Sequence, residues 1–513
     1  MLSVQITIYI AKKPCYNFSN DTVRGIPQRR YGVLDFREEE RRRRNMKQLT
    51  LEQHRARLEN LREAREDVRA CTRELRIHNY LPGQITYYLG DYPAPMSIAP
   101  TEYDYELLRS YAENGVDMIQ VHEEWNDTLR RCGSDKWHSC DPAGMLKFVE
   151  LCHQFGIRIL PYCSASYIHR FDREYQMNFS RSYGGCVDMH YSYVYGWAGS
   201  EYWRSFILPR TFQVMETYGF DGLFNDWGYD WEISRMERIP SDRRNYENEP
   251  LEEFDPEAED LIHMIYDGVK ERGGIYKMHI GGNRRPPVRG KCYDYLWVGE
   301  CEFDAQCGAG KMYEPYLVPC PDKPRLTNWG RERFDADAYF AMTIPFVQFP
   351  LLTHGRPTMG RCIDVPGVEQ YNTTQPDHLY QYFRKVRSFA DAHPNGPFIY
   401  SEWSQIPDDV EDYPRWCRYL KLYKPMVQDE SIAYVELRET EMIRSAIPDK
   451  VYISLFVSEE EYMVVSNMTE APYTAELRDL WQDRQTGCEG SRFTVAPRRL
   501  LFLKRVRESG ART

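Results

Sequence analysis

The hydrophobic period of this chain changes three times, and each change marks a different kind of element. Residues 1–33 read as extended, partly strand-like chain with a turn at 17–21. From Glu38 to about Leu75 the sequence is dense in Arg and Glu. Leu51, Leu58, Leu61, Val68 and Leu75 recur there near heptad spacing, which predicts a long amphipathic helix. After Pro82 short apolar runs alternate with amphipathic stretches. Strands are predicted over 85–89, 118–122, 158–162, 222–226, 276–280, 295–299, 346–352 and 398–400. Helices are predicted over 102–114, 142–155, 202–218, 256–272, 336–343, 378–392 and 413–424. Gly115, Gly156 and Gly219 each stand where a helix must stop just before a strand. From about Ser431 the period falls to two, with strands over 451–457, 462–466, 471–477 and 500–504.

Regular strand–helix alternation is the mark of a parallel sheet, and eight strands in sequence fit an α/β fold of the (β/α)8 TIM-barrel type. A doubly wound sheet would advertise a glycine-rich phosphate turn after an early strand; Gly281-Gly282 after the fifth strand lacks the rest of that fingerprint. The predicted organisation is an N-terminal helical extension (1–80), a barrel (81–428) and a C-terminal antiparallel β-sandwich (429–513).

Composition narrows the partners. The chain has 513 residues, 42% hydrophobic and 28% charged, with a net charge of −11. That charge attracts neither nucleic acid nor an anionic membrane. No apolar run approaches the ~20 residues of a membrane span. The N-terminus alternates without a basic start or a small-residue cleavage site, so a cytoplasmic protein is expected. Fourteen cysteines without CxxC spacing point to reduced thiols; Cys132/Cys140 and Cys301/Cys307 would be the pairs to bridge in an exported chain. The Arg run at 41–44 has Glu neighbours and reads as a solvated helix face. That helix is the expected surface for any homo-oligomer.

Candidate chemistry gathers where strands end. Tyr218-Gly-Phe-Asp-Gly-Leu-Phe-Asn-Asp-Trp-Gly-Tyr-Asp230 is an apolar strand that stops in carboxylate, indole and glycine. Asp226 should emerge at the strand's mouth, where it would attack an anomeric carbon or stabilise an oxocarbenium-like transition state. Asp221, at the opposite end, reads as structural. Glycoside cleavage needs a second carboxyl group to protonate the leaving oxygen. Glu300, ending an apolar run beside Trp297, fits through a pKa raised by burial, with Glu302 two residues on. His122, Glu123, Glu124 and Trp125 close the second strand as a hydroxyl-binding and stacking corner. Asp91 after the first strand, Tyr162 and His169 after the third, Trp227 after the fourth, Asn283 and Arg285 after the fifth, and His354 and Arg356 after the seventh belong to the same rim. The aromatic stretch 166–200 is expected to be a lid or an oligomer contact. The 39 Tyr and 11 Trp provide stacking surface as well as core.

At Phe224-Asn-Asp-Trp-Gly-Tyr-Asp230 the chain resembles the fourth-strand motif of retaining glycoside hydrolases in the α-galactosidase and α-glucosidase clan, families 27, 31 and 36. Asn225-Asp226 matches the Asn-Asp of the Trp-Asn-Asp-Met-Asn-Glu-Pro pattern in family 31. Asp221-Gly-Leu-Phe-Asn-Asp226 is similar in spacing to the Asp-Gly-Leu-Trp-Phe-Asp of α-fucosidase-like barrels. No Asn-Glu-Pro follows the aspartate, and the Lys-Trp-Asp of the galactosidases is missing. The resemblance implies a barrel followed by a β-sandwich, and an enzyme that hydrolyses an α-glycoside with retention, with Asp226 as nucleophile; Glu300 as acid/base comes from the reading of the residues alone. The substrate would be an oligosaccharide or glycoside, with no cofactor and no metal. Two other readings stay open: a barrel that binds carbohydrate without cleaving it, and a metal-dependent barrel hydrolase or lyase built on His122, His279 and His354.

Overall fold

The computed structural model describes residues 50–77, 79–89, 97–122, 125–126, 137–139, 141–169, 174–180, 193–226, 256–279, 292–298, 316–320, 335–356, 412–428 and 432–507. The chain divides into two compact units, Met1–Arg55 and Ala56–Thr513. In the first, Thr50 and Gln53 exchange backbone–side-chain hydrogen bonds of 2.8 and 3.2 Å at the start of α1 (Leu51–Asp67), the reciprocal pattern of a helix N-terminus.

In the second unit α1 gives way at Asp67 to β1 (Val68–Ile77). The heptad reading carried the helix through Leu75 and is corrected here. Eight residues of β1 pair antiparallel with β12 (Ile432–Thr440), from Val68 opposite Thr440 to Ile77 opposite Ile432. A long partner strand outweighs a local helical period. The face α1 buries is Asn60, Ala64 and Asp67, while Leu58 stays 67% exposed. Asn60 Nδ2 donates to the carbonyls of Ser458 and Glu459 at 3.0 and 2.7 Å, and Arg478 makes two 2.6 Å bonds to the Asp67 carboxylate.

β12 continues into β13 (Val451–Val457), β14 (Glu461–Asn467), β15 (Tyr473–Asp483), β16 (Glu489–Val495) and β17 (Arg499–Arg505). With β1 they form one seven-stranded antiparallel sheet in the order β1-β12-β13-β14-β17-β15-β16. The antiparallel character matches expectation; hydrogen bonding gives one sheet rather than two facing ones. Both faces of its central strands β13, β14 and β17 are buried. Ile453, Leu455, Met463, Val465, Leu501 and Leu503 belong to the sheet's own core, and their neighbours Phe456, Val464 and Phe502 join the larger core of the parallel part.

The parallel part comprises two four-stranded sheets. One runs β11-β2-β3-β4, from β2 (Gln84–Tyr88), β3 (Met118–Val121), β4 (Arg158–Pro161) and β11 (Leu352–Gly355). The other runs β10-β9-β8-β7, from β7 (Gly222–Asn225), β8 (Ile275–His279), β9 (Tyr295–Val298) and β10 (Leu317–Pro319). They are bonded to each other at both edges. Tyr162 bridges Phe224 in the parallel sense, Cys163 N–H donates to Phe224 O at 2.8 Å, and Leu351 N–H donates to Pro319 O at 2.8 Å. A short antiparallel ladder pairs β5 (Tyr167–His169) with β6 (Tyr193–Tyr195) within the expected lid segment, of which 170–173 and 181–192 lie outside the described residues.

The helices follow their sequence signals. Thr101 and Asp104 form a capping box at α2 (Glu102–Glu113), Asp141 caps α3 (Pro142–Gln154) ahead of Pro142, and Ser200 caps α4 (Glu201–Tyr218). Gly115, Gly156 and Gly219 take φ of 84°, 71° and 74°, as residues ending helices in the left-handed conformation do. α5 (Pro256–Glu271), α6 (Ala336–Thr343) and α7 (Asp412–Val427) fall where the pattern put them. The seventh and eighth strands are corrected. Residues 344–346 form a single 3-10 turn, Leu317–Pro319 takes the seventh place, and Leu352–Gly355 takes the eighth. The expected helix at 378–392 and strand at 398–400 lie outside the described residues.

Candidate active site

Side-chain alternation decides which residues face the space between the parallel sheets. On β8, Tyr276 and Met278 turn toward the helices, and Tyr276 OH is the 2.5 Å acceptor of Asn225 Nδ2. Lys277 and His279 therefore turn inward together, two residues apart. On β7 the same parity sends Asn225 outward, where its Oδ1 accepts from Ala165 N–H at 2.9 Å. Phe224 and Asp226 face in. Asn225 is thus structural, and Asp226 emerges at the C-terminal edge of the strand with its side chain 13% exposed.

Asp226 meets His279. Its Oδ1 lies 2.5 Å from His279 Nδ1, and the imidazole is 2% exposed. The ring stands edge-on to Trp297 with centroids 4.1 Å apart at 81°. Beneath the pair the Phe224 ring is 5.9 Å from Trp297, 6.1 Å from Tyr162 and 5.8 Å from His122. Lys277 Nζ lies 5.8 Å from the same ring and donates to Gln84 Oε1 at 2.9 Å. Burial pushes this amine down to about 7.

His122 sits between aromatic rings, 5.7 Å from Tyr88 and stacked 6.4 Å from Tyr162. Burial lowers its pKa to about 4; Lys277 and His279 add to the fall and Asp226 opposes it. At neutral pH it is an uncharged imidazole, suited to hydrogen bonding a hydroxyl. Gln120 Nε2 lies 3.3 Å from its Nε2. Asp226, His122, Tyr162 and His279 thus come together with Trp297 and Phe224 at one end of the strands.

Other expected site residues fall elsewhere. Trp125 has no exposed surface; its Nε1 donates to Tyr162 O at 2.7 Å and its rings meet Tyr218 and Phe220 edge-on at 5.6 and 5.5 Å. It is a core residue with no face for a ligand, which corrects its placing on the rim. His354 turns into the helix layer. Tyr111 OH lies 2.6 Å from its Nδ1, Tyr413 stacks on it at 5.0 Å and 16°, and burial lowers its pKa to about 4. It does not converge with His122 and His279. Arg356 spends its donors on a latch, with bonds of 2.8 and 2.9 Å to the fully buried Asp104 and further bonds to the carbonyls of Leu89, Ser97, Ile98 and Ala99. Asp221 is structural as expected, accepting from His153 Nε2 at 2.8 Å and Ile159 N–H at 2.9 Å. Asp91, Glu123, Glu124, Trp227, Asn283, Arg285, Glu300 and Glu302 lie outside the described residues. Sequence reasoning passed over Lys277 and gave His279 no part beside Asp226, although their i, i+2 spacing on a short strand placed both on one face. Among the described residues no group of three His, Cys, Asp or Glu is gathered as a metal site, and no helix is long and apolar enough to cross a membrane.

No family model and no curated protein matches this chain. Solved structures do. An α-glucosyl transfer enzyme, XgtA, matches at 11% identity over 83% of this chain and 99% of its own, with a TM-score of 0.51. The α-amylase GTA of Geobacillus thermoleovorans, solved with acarbose, is 8% identical over 84% of this chain and 99% of its own, at 0.49. The GH36 α-galactosidase AgaA of Geobacillus stearothermophilus is 10% identical over 82% of this chain at 0.45, and only 55% of its length is spanned. The structural neighbours of this chain thus include α-amylase-like and GH36 α-galactosidase enzymes, and the match to XgtA is a likeness of fold.

Proposed function

We propose that this chain is a glycoside hydrolase whose eight parallel strands close into one (β/α)8 barrel, with Asp226 as the carboxylate acting at the anomeric carbon. The observation that carries this reading is the placement of Asp226. It is an inward-facing carboxylate at the C-terminal end of the fourth strand, 13% exposed and bonded to His279. It stands two residues beyond Phe224, whose ring meets those of Tyr162, His122 and Trp297. Barrel enzymes build their sites at that edge. Apolar rings beside a carboxylate suit a sugar, whose C–H faces pack on aromatics while its hydroxyls hydrogen-bond. His122, neutral at pH 7, supplies such a hydroxyl partner.

Glu300, two residues beyond β9, is the proposed acid/base, with Glu302 as its alternate. Asp91, Glu123, Glu124, Trp227 and Arg285 follow the strands whose ends form this rim and are proposed to line it. Carboxyl groups ~5–5.5 Å apart give retention, and ~6.5–9.5 Å inversion; the motif around Asp226 favours retention on an α-glycoside. A panel of 4-nitrophenyl glycosides varying in sugar and anomer tests the reading. Turnover of at least one, lost by ~10³-fold or more in Asp226→Asn, is expected. No turnover across the panel, or an unaffected Asp226→Asn, would sink it.

A further inference from the structure

The two oxygens of Asp226 are not equivalent. Oδ1 receives His279 Nδ1 at 2.5 Å, and among the described residues His279 is the only polar side chain bonded to this carboxylate. His279 is fixed in turn. It is 2% exposed, it is the last residue of a strand bonded to β7 on one side and β9 on the other, and its ring stands edge-on to Trp297 at 4.1 Å. Its other nitrogen, Nε2, is buried and meets no hydrogen-bond partner among the described residues. A general base must offer its acting nitrogen to substrate or water, and this one is sealed. The single polar service the ring performs is directed at Asp226.

We infer that His279 is a positioning residue for the reaction at Asp226. Its Nδ1–H donates to Oδ1, arrests rotation of the carboxyl group, and leaves Oδ2 as the oxygen free to act. The inference rests on the reading of Asp226 as the acting carboxylate. A carboxylate that swings by an ångström loses much of the advantage of being held near the reacting carbon, on the order of 10²-fold in rate.

Three substitutions decide the matter, assayed on the 4-nitrophenyl glycoside that the wild-type chain turns over fastest. His279→Asn sets an amide N–H where Nδ1 stood. His279→Gln sets it one bond further out, and His279→Leu removes it. Expected is a kcat within about fivefold of wild type for Asn, a fall of about tenfold or more for Gln, and about 10²-fold for Leu, with KM changed less than about twofold throughout. Thermal unfolding of each variant checks that it is folded, and if the Leu variant is not, the Asn–Gln difference alone decides. Asn and Gln equally inactive would mean that the whole imidazole acts chemically, and full activity in the folded Leu or in the Gln variant would mean that it has no part; either overturns the inference while leaving Asp226 in place. An active Asp226→Asn, or a wild type that cleaves no glycoside, instead overturns the reading beneath it.

Discussion

Lys277 illustrates what burial costs one residue. It has no exposed surface, and Gln84 Oε1 is its hydrogen-bond acceptor. Desolvation lowers its pKa from 10.5 to about 7. Between those values the unfolded chain holds a proton that the folded chain has released, so stability rises with pH across the window and the penalty is full below about 7. Lys277→Met is therefore expected to raise stability at pH 7, on the order of 2 kcal/mol by urea unfolding. The difference from wild type should shrink as pH approaches 10; a gap that stays constant would rule out the buried amine as its cause. His122 and His354 work at the other end of the scale. Both are held near 4, so each costs stability as pH falls from 6.5 through 4. At this scale the sequence disclosed where strands end but not which way their last residues turn. Asp226 announced itself as the carboxylate closing an apolar run. Glu-Glu-Trp125 and His354 wrote the same signal, yet Trp125 packs into the core and His354 faces the helices, because a shift of one residue reverses a side chain's face.

Elements were legible where the determinants are local. The capping box at Thr101 and the left-handed glycines at 115, 156 and 219 needed only neighbours in sequence. β10 is three residues ending in proline and gives almost no period to detect. β1 was hidden for another reason: its reason to be a strand is β12. The Arg356–Asp104 latch ties β11 to α2 and to the chain after β2, and Tyr87 OH adds a 2.5 Å bond to the same carboxylate. The guanidinium and the Tyr87 hydroxyl together hold the Asp104 carboxyl below its usual range, against a desolvation that raises it. Removing one partner strands the other. Arg356→Met is expected to cost ~3–5 kcal/mol in chemical unfolding, and the double variant with Asp104→Asn less than the sum of the two single ones.

At the scale of the molecule the antiparallel sheet is also a lid on backbone ends. Tyr434 OH and Ser454 Oγ both donate to Pro345 O, at 2.7 and 2.6 Å, and Ser466 Oγ donates to Ala341 O at 2.6 Å. These carbonyls finish α6 and the turn after it, a place where a buried helix end needs outside donors. Tyr434→Phe with Ser454→Ala leaves the Pro345 carbonyl without either, and a loss of ~1–3 kcal/mol is expected. The 4-nitrophenyl glycoside rate should persist, since neither residue is near Asp226 in the described contacts. A destabilised variant with a collapsed rate would show that sheet and site are coupled. The change from parallel to antiparallel strands was visible as a change of period; that β1 would be stitched into the terminal sheet was not.

That stitching governs how the molecule comes to be made. Arg69 and Glu441, ion-paired across the junction of β1 and β12, stand 372 residues apart in the chain. During synthesis β1 emerges early and waits, its backbone edge unsatisfied, while the whole parallel part is threaded out behind it. An orphaned edge of ten residues is an invitation to other nascent chains, and closing so large a loop is a late and slow step. Arg73 and Arg76 on that strand keep charge on the waiting segment until its partner is translated.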